Sequence, residues 1–230
     1  MFRFNNVDFE TYKTFWDGSQ LFDTPEKDVT FFEVPGRNGS LSISNGRYKN
    51  LTITVNCFIR DDFKTNFPQL MNFLLSQEGY CKLETSEEPD TFRMAQYVKA
   101  LTPKTTPFLK SGAFSLIFEC KPQKYLNTGD ILRAVGSEFT AVNPTLMEAY
   151  PYIEVEGTGT LSFGGTELTL SQNTGTTVID SEMQDAYEGP INRNPYLTMT
   201  NGFPILTAGN NAGTFTGFSA VRIKPRWWML

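Results

Sequence analysis

The side chains that could do chemistry are unevenly supplied. The 230-residue chain contains no histidine. That removes the usual general base, the Ser-His-Asp and Cys-His arrangements, and the commonest metal ligand. Carboxylate chemistry remains open. Asp180 and Glu182 lie two apart and on a strand would share a side, and paired carboxylates can serve glycoside hydrolysis or calcium binding. A turn, or an ion pair with a neighbouring basic residue, is the preferred reading of this pair. Asp61-Asp62 is expected in the loop leading into a helix, and Glu87-Glu88-Pro89-Asp90 in a solvated acidic loop. Neither has the spacing of a calcium loop. The chain has no Walker loop, dinucleotide fingerprint or zinc cysteine pair. No catalytic residue, cofactor or metal is therefore expected.

Two other patterns could bind. Trp227-Trp228 could stack on a sugar, but adjacent strand residues face opposite sides. One indole is thus expected in the core and the other over an edge or interface. Arg222, Lys224 and Arg226 alternate and should share a face, which reads as a soluble sheet surface rather than a site. Residues 1–126 carry 15 basic and 15 acidic side chains, net zero; residues 127–230 carry 5 and 10, net −5. Neither half has the basic surplus of a nucleic-acid binder. Cys57, Cys81 and Cys120 all fall in apolar strand-like segments and read as reduced thiols.

The elements that position these residues are mostly strands. Hydrophobic residues make up 40% and charged residues 20%, the balance of a folded chain rather than a disordered one. Twenty phenylalanines and nine tyrosines suit packed sheets. No basic start followed by an apolar run marks a secretory leader, and no apolar stretch approaches the ~20 residues needed to cross a bilayer. Leu51 to Ile59 is apolar at every odd position, the period of a strand with one buried face. Phe114, Leu116, Phe118 and Cys120 repeat that pattern, and Val29–Val34, Tyr80–Glu84 and Arg93–Ala100 are further strand candidates. One helix is expected, capped at Asn66, with Pro68 in its first turn, an apolar stripe of Phe67, Leu70, Met71 and Leu74, and Gly79 at its end. Residues 35–47 are polar and turn-rich around Leu41 and Ile43, with Asn38-Gly39 and Asn45-Gly46 as hairpin turns, so an exposed hairpin or arm is expected. Thr102–Gly112 reads as a loop, held open by Pro103 and Pro107.

Pro122 follows a strand directly and should end it, which places a domain boundary near residue 126. The two domains are then 1–126 and 127–230. The second shows short strands between Gly/Asn turns, with Gly164-Gly165 joining a hairpin. Tyr152, Val155, Val178, Ile179, Tyr187, Phe215, Phe218, Val221 and Ile223 are the expected core of a β-sandwich or jelly roll.

Several segments, in order and over nearly the whole chain, resemble the distal tail protein family of siphophages that infect Gram-positive bacteria. They are Gly36–Leu41 with Tyr48–Leu51, then Phe118–Tyr125, then Pro151–Val155, Val178–Glu182, Phe203–Leu206 and Gly209–Asn211, and finally Ile223–Leu230. The resemblance implies a mainly β protein: an N-terminal tail-tube-like β-sandwich with one flanking helix, and a C-terminal galectin-like β-sandwich at the periphery. It implies a homo-hexameric ring around a channel that lets DNA pass without specific binding. It further implies a tail-tube or tail terminal protein above the ring and a tail-associated lysin or tip protein below, with receptor-binding proteins carried by the outer domain in some relatives. The setting would be the virion tail tip, assembled in the host bacterial cytoplasm, with no membrane partner. Within this frame Arg37, Asn38, Leu41, Ile43, Asn45 and Arg47 are the candidate inter-subunit arm. The alternative reading is an adhesion module that binds host cell-wall polysaccharide. Galectin-type binding normally uses a histidine, which this chain lacks. A carboxylate-based wall hydrolase ranks below both.

Overall fold

The computed structural model describes residues 1–18, 23–100 and 102–230. The chain divides into two compact units, Met1–Lys124 with Leu230, and Tyr125–Met229. It is mainly β with a single α-helix among the described residues.

The first unit is built on β1 (Phe2–Phe4), β2 (Val7–Asp8), β3 (Thr14–Trp16), β4 (Lys27–Phe32), β5 (Leu41–Tyr48), β6 (Leu51–Ile59), α1 (Phe63–Leu75), β7 (Cys81–Thr85), β8 (Thr91–Ala100), β9 (Lys104–Thr105) and β10 (Gly112–Leu126). The strand order of its main sheet is β2-β1-β7-β8-β10-β6-β3, with β9 also on β10. The alternating Leu51–Ile59 segment is a strand as expected, and its odd-numbered residues are all buried. It pairs with β10 from Gly112↔Ile59 to Cys120↔Leu51, so Phe114, Leu116, Phe118 and Cys120 face the same interior. Phe118 is fully buried, with ring centroids 5.2 Å from Phe4, 5.9 Å from Tyr97 and 6.0 Å from Phe2. Phe118→Ala should cost about 3–5 kcal/mol through lost contacts and a residual cavity. The fully exposed Phe108→Ala should stay within about 0.5 kcal/mol; paired denaturant titrations check the difference.

Several expectations are corrected. The helix begins a turn earlier, at Phe63 after Asp62, and Pro68 lies inside it. Asn66 caps nothing: it is buried and its amide donates to the Asp61 and Asp62 carbonyls. Phe63 therefore heads the buried stripe, stacked on Phe67 at 4.8 Å. The helix ends at Leu75 with Ser76 as cap, and Gly79 (φ +68°) lies in the turn beyond. Asn45-Gly46 is not a hairpin turn but lies within β5, beside a register shift between Lys27 and Val29, with Gly46 at φ +71° as a bulge requires. Thr102–Gly112 is not all loop, since Lys104 and Thr105 pair with Ala113 and Gly112. Pro122 does not end β10; it lies past the last β6 partner, Leu51, where that ladder demands no N–H.

The second unit adds β11 (Arg133–Ala134), β12 (Glu138–Asn143), β13 (Tyr152–Glu156), β14 (Gly159–Phe163), β15 (Thr166–Leu170), β16 (Thr176–Asp180), β17 (Asp185–Glu188), β18 (Ile191–Asn192), β19 (Leu197–Met199), β20 (Gly209–Thr216) and β21 (Ala220–Lys224). They form two antiparallel sheets, β11-β21-β13-β16-β17-β18 and β12-β20-β14-β15-β19. Ile153, Val155, Ile179, Val221 and Ile223 of the first meet Leu161, Phe163, Leu168 and Leu170 of the second in one core, the layering of a β-sandwich. The Gly164-Gly165 turn is as read from sequence: both residues have positive φ, and Phe163 faces Thr166 across it. Tyr152 and Tyr187 are not core. Ile153 and Val155 hold the inward phase of β13 and leave Tyr152 half-buried on the other face.

Candidate functional site

Strands β4 and β5 form a sheet of their own, with no third strand among the described residues. Register places Phe32 opposite Leu41 and Thr30 opposite Ile43 on one face, with Phe31 opposite Ser42 and Val29 opposite Ser44 on the other. An isolated two-stranded ribbon is marginal in water unless an apolar face is covered. Here the apolar side chains are open: Phe31 is 67% exposed and Phe32, Leu41, Ile43 and Val34 are each above 40%. Exposed apolar side chains gathered in this way, Phe32, Leu41 and Ile43 on one face and Phe31 on the other, suit a contact site better than a solvated face.

The ribbon is nevertheless held in shape. Asp28 accepts from Arg47 Nε at 2.7 Å and from Asn45 Nδ2 at 3.1 Å, and Asn45 also reaches the Thr30 hydroxyl. These bonds hold the Asp28 carboxyl below its ordinary value. Lys49 pairs with Glu26 at the base, where the Lys49 N–H also donates to the Glu26 carbonyl. At the tip the Arg37 N–H donates to the Val34 carbonyl, and Gly36 and Gly39 supply left-handed turn conformations. Of the six residues read from sequence, Asn45 and Arg47 lace the two strands, Leu41 and Ile43 belong to one apolar face, and Arg37 and Asn38 lie in the exposed tip. Phe31, Phe32 and Val34 were missed. Their signal was the adjacent Phe31-Phe32 pair, which gives a strand apolar side chains on both faces.

The paired carboxylates are used structurally. Asp180 is buried and takes a bidentate contact from Arg226, at 2.7 and 2.8 Å, together with the backbone N–H groups of Glu182 and Met183. Burial pushes its carboxyl up, but the guanidinium and those N–H groups hold it below the ordinary value. Glu182 lies 3.5 Å from the same guanidinium, whose carbon sits 5.4 Å from the centre of the Tyr152 ring. Arg222 pairs with Glu154 and Glu156, and Lys224 with Asp130. The basic stripe is thus an ion-pair ladder within its own sheet region. Trp227 is buried, and the Trp228 indole N–H donates to the Glu148 carbonyl at 2.8 Å, so the pair presents no open stacking platform. Burial raises the Cys57 and Cys120 thiols to about 12, which keeps both protonated and unreactive.

No family model matches the chain, and no curated protein does. Among solved structures it is similar to the SPP1 Dit (gp 19.1) protein, described as a paradigm of the hub adsorption apparatus in phages that infect Gram-positive bacteria. The TM-score is 0.69 and the identity 15%, over 96% of each chain. It is also similar to a chain of the phage p2 baseplate in its activated conformation with Sr, at TM-score 0.56 and 10% identity, over 94% of this chain and 91% of that one. Nearly end to end, the chain has the fold of a phage hub protein.

Proposed function

We propose that the chain is a non-enzymatic distal tail protein of a siphophage tail tip, a ring subunit joining the tail tube to the adhesion apparatus. The observation that carries this reading is the fold likeness over 96% of both chains to a hub adsorption protein. Residues 1–126 would be the tail-tube-like ring-forming domain and residues 127–230 the galectin-like peripheral domain. Six copies would surround a channel through which DNA passes. The tail terminal protein would sit above, a lysin or tip protein below, and receptor-binding proteins could attach to the outer domain. Assembly would take place in the host bacterial cytoplasm.

Three features support it. The β4–β5 ribbon exposes apolar side chains that a second copy can cover, and heterologous contacts between copies close into rings. The first half is neutral and the second acidic, so a channel would not hold DNA by attraction. The carboxylate pair is committed to an ion pair with Arg226. Light scattering on the purified full chain should give six times the 26.0 kDa chain mass, with rings in negative-stain images. A monomer at every concentration tested overturns the ring.

A further inference from the structure

The turn that joins β9 to β10 carries an unusual tip. Phe108 and Leu109 follow each other at φ +63° and +53°, both left-handed, and neither is glycine. Two such residues in a row store strain that the surroundings must hold. The Thr106 N–H donates to the Ser111 carbonyl, the Ser111 N–H to the Thr106 hydroxyl, and the Leu109 N–H to the Thr106 carbonyl. This clamp presents Phe108 at 92% exposure, with Lys104 and Lys110 exposed on either side. Among the described residues neither lysine has an acidic partner. A rigid, strained apolar knob with a basic collar suits insertion into something.

The same unit offers a complementary cleft. A cavity of about 410 Å³ opens beside β1 and β3, with Phe2, Phe15 and Trp16 among its walls and Glu10, Asp17 and Glu87 around it. Such a volume lies in the range that encloses a small ligand, roughly 300–1,000 Å³. Glu10 and Glu87 are exposed and, among the described residues, form no direct ion pair; Glu87 accepts from the Ser86 hydroxyl, which in turn accepts from the Met1 ammonium. The knob is apolar and basic; the cleft is mostly polar and acidic, with Phe15 and Trp16 in its wall.

The Phe2 wall of the cleft and the knob lie at opposite ends of β8. Phe2 pairs with Thr85, and the β7–β8 register continues toward Thr91, whereas the knob follows the Ala100 end of β8. Those ends are nine residues apart, about 30 Å at ~3.3 Å per residue. We infer that the Pro107–Lys110 knob of one copy seats in the β1–β3 cleft of a second copy, in a head-to-tail contact. The inference rests on the ring reading, and it names two surfaces of self-contact separate from the β4–β5 ribbon. Two different patches on each subunit are what a heterologous ring requires.

Charge reversal tests it in the full-length chain. Variant one carries Lys104→Glu and Lys110→Glu; variant two carries Glu10→Lys and Glu87→Lys. All four side chains are exposed, so circular dichroism should be unchanged. Each variant alone opposes like charges at every contact and should need at least tenfold more protein to assemble. Mixed one to one, every glutamate knob can meet a lysine cleft and the reverse, and an even-membered ring can close by alternation. Light scattering should therefore show monomers for each variant alone and the wild-type mass for the mixture. Variants that assemble like wild type overturn the knob contact while leaving the ring standing. Variants that dissociate but stay apart on mixing overturn it too. A monomeric wild type overturns both the ring and this contact.

Discussion

Arg226→Ala should destabilise the second unit by about 3–5 kcal/mol, because it leaves a carboxylate buried without its cation. Asp180 is 2% exposed, and among the described residues its partners besides Arg226 are two backbone N–H groups. Arg226→Lys keeps the charge but loses the two-pronged contact, and should recover only part of the loss. Asp180 is held below its ordinary value in the fold. Its pairing therefore contributes stability above the unfolded carboxylate range, near pH 4, and that contribution is lost as pH falls through the lower folded value. In Arg226→Ala the burial remains without the guanidinium, so the folded value rises and the sign reverses: the variant should gain relative to wild type as pH drops below about 4. Urea titrations from pH 3 to 7, followed by the fluorescence of Trp227 and Trp228, measure both the size and the direction. A difference that does not shrink in acid would show that the guanidinium acts by packing rather than by charge.

This contact also shows what the sequence could and could not convey. Strands with one buried face were legible, since Leu51–Ile59 writes its burial directly as a period of two. So was the Gly164-Gly165 turn, whose positive φ values only glycine takes freely. The pairing of Asp180 with Arg226 was anticipated only as an ion pair with some basic residue, because 46 positions separate the partners and their meeting is set by the sandwich, not by local pattern. Errors arose where one local signal served two structures. Asn66 with Pro68 resembles a helix start, yet Asn66 bonds back to Asp61 and Asp62 from inside the helix. Asn45-Gly46 resembles a hairpin turn, yet the pair sits in a bulged strand. Tyr152 was expected in the core, although the phase of β13 belongs to Ile153 and Val155. The ribbon was legible as an exposed hairpin, but its strongest apolar residues were read as an ordinary strand. Periodicity reports burial within one chain, and a surface covered by a second chain has the pattern of a core without the burial.

That distinction gives the last expected result. Phe32→Ser, Leu41→Ser and Ile43→Ser together should leave the monomer fold intact and abolish assembly. The three side chains lie on one face of the ribbon, Phe32 directly opposite Leu41 and Ile43 two residues further on. Each is about half exposed in the single chain, so little folding energy is at stake. Covering such a side chain fully contributes roughly 1.5–3 kcal/mol, and half of that is still available to a partner. Three such losses at each contact amount to at least ~2 kcal/mol, more than a tenfold weakening at roughly 1.4 kcal/mol per decade. In the proposed ring every contact would carry the same defect. The polar lacing should survive, since Asp28, Asn45 and Arg47 are untouched. Removing Arg37–Arg47 outright should give the same monomer with the strand lost as well. Light scattering at matched concentrations separates the outcomes. If the triple variant and the deletion both keep the wild-type mass, the ribbon takes no part in joining copies of the chain.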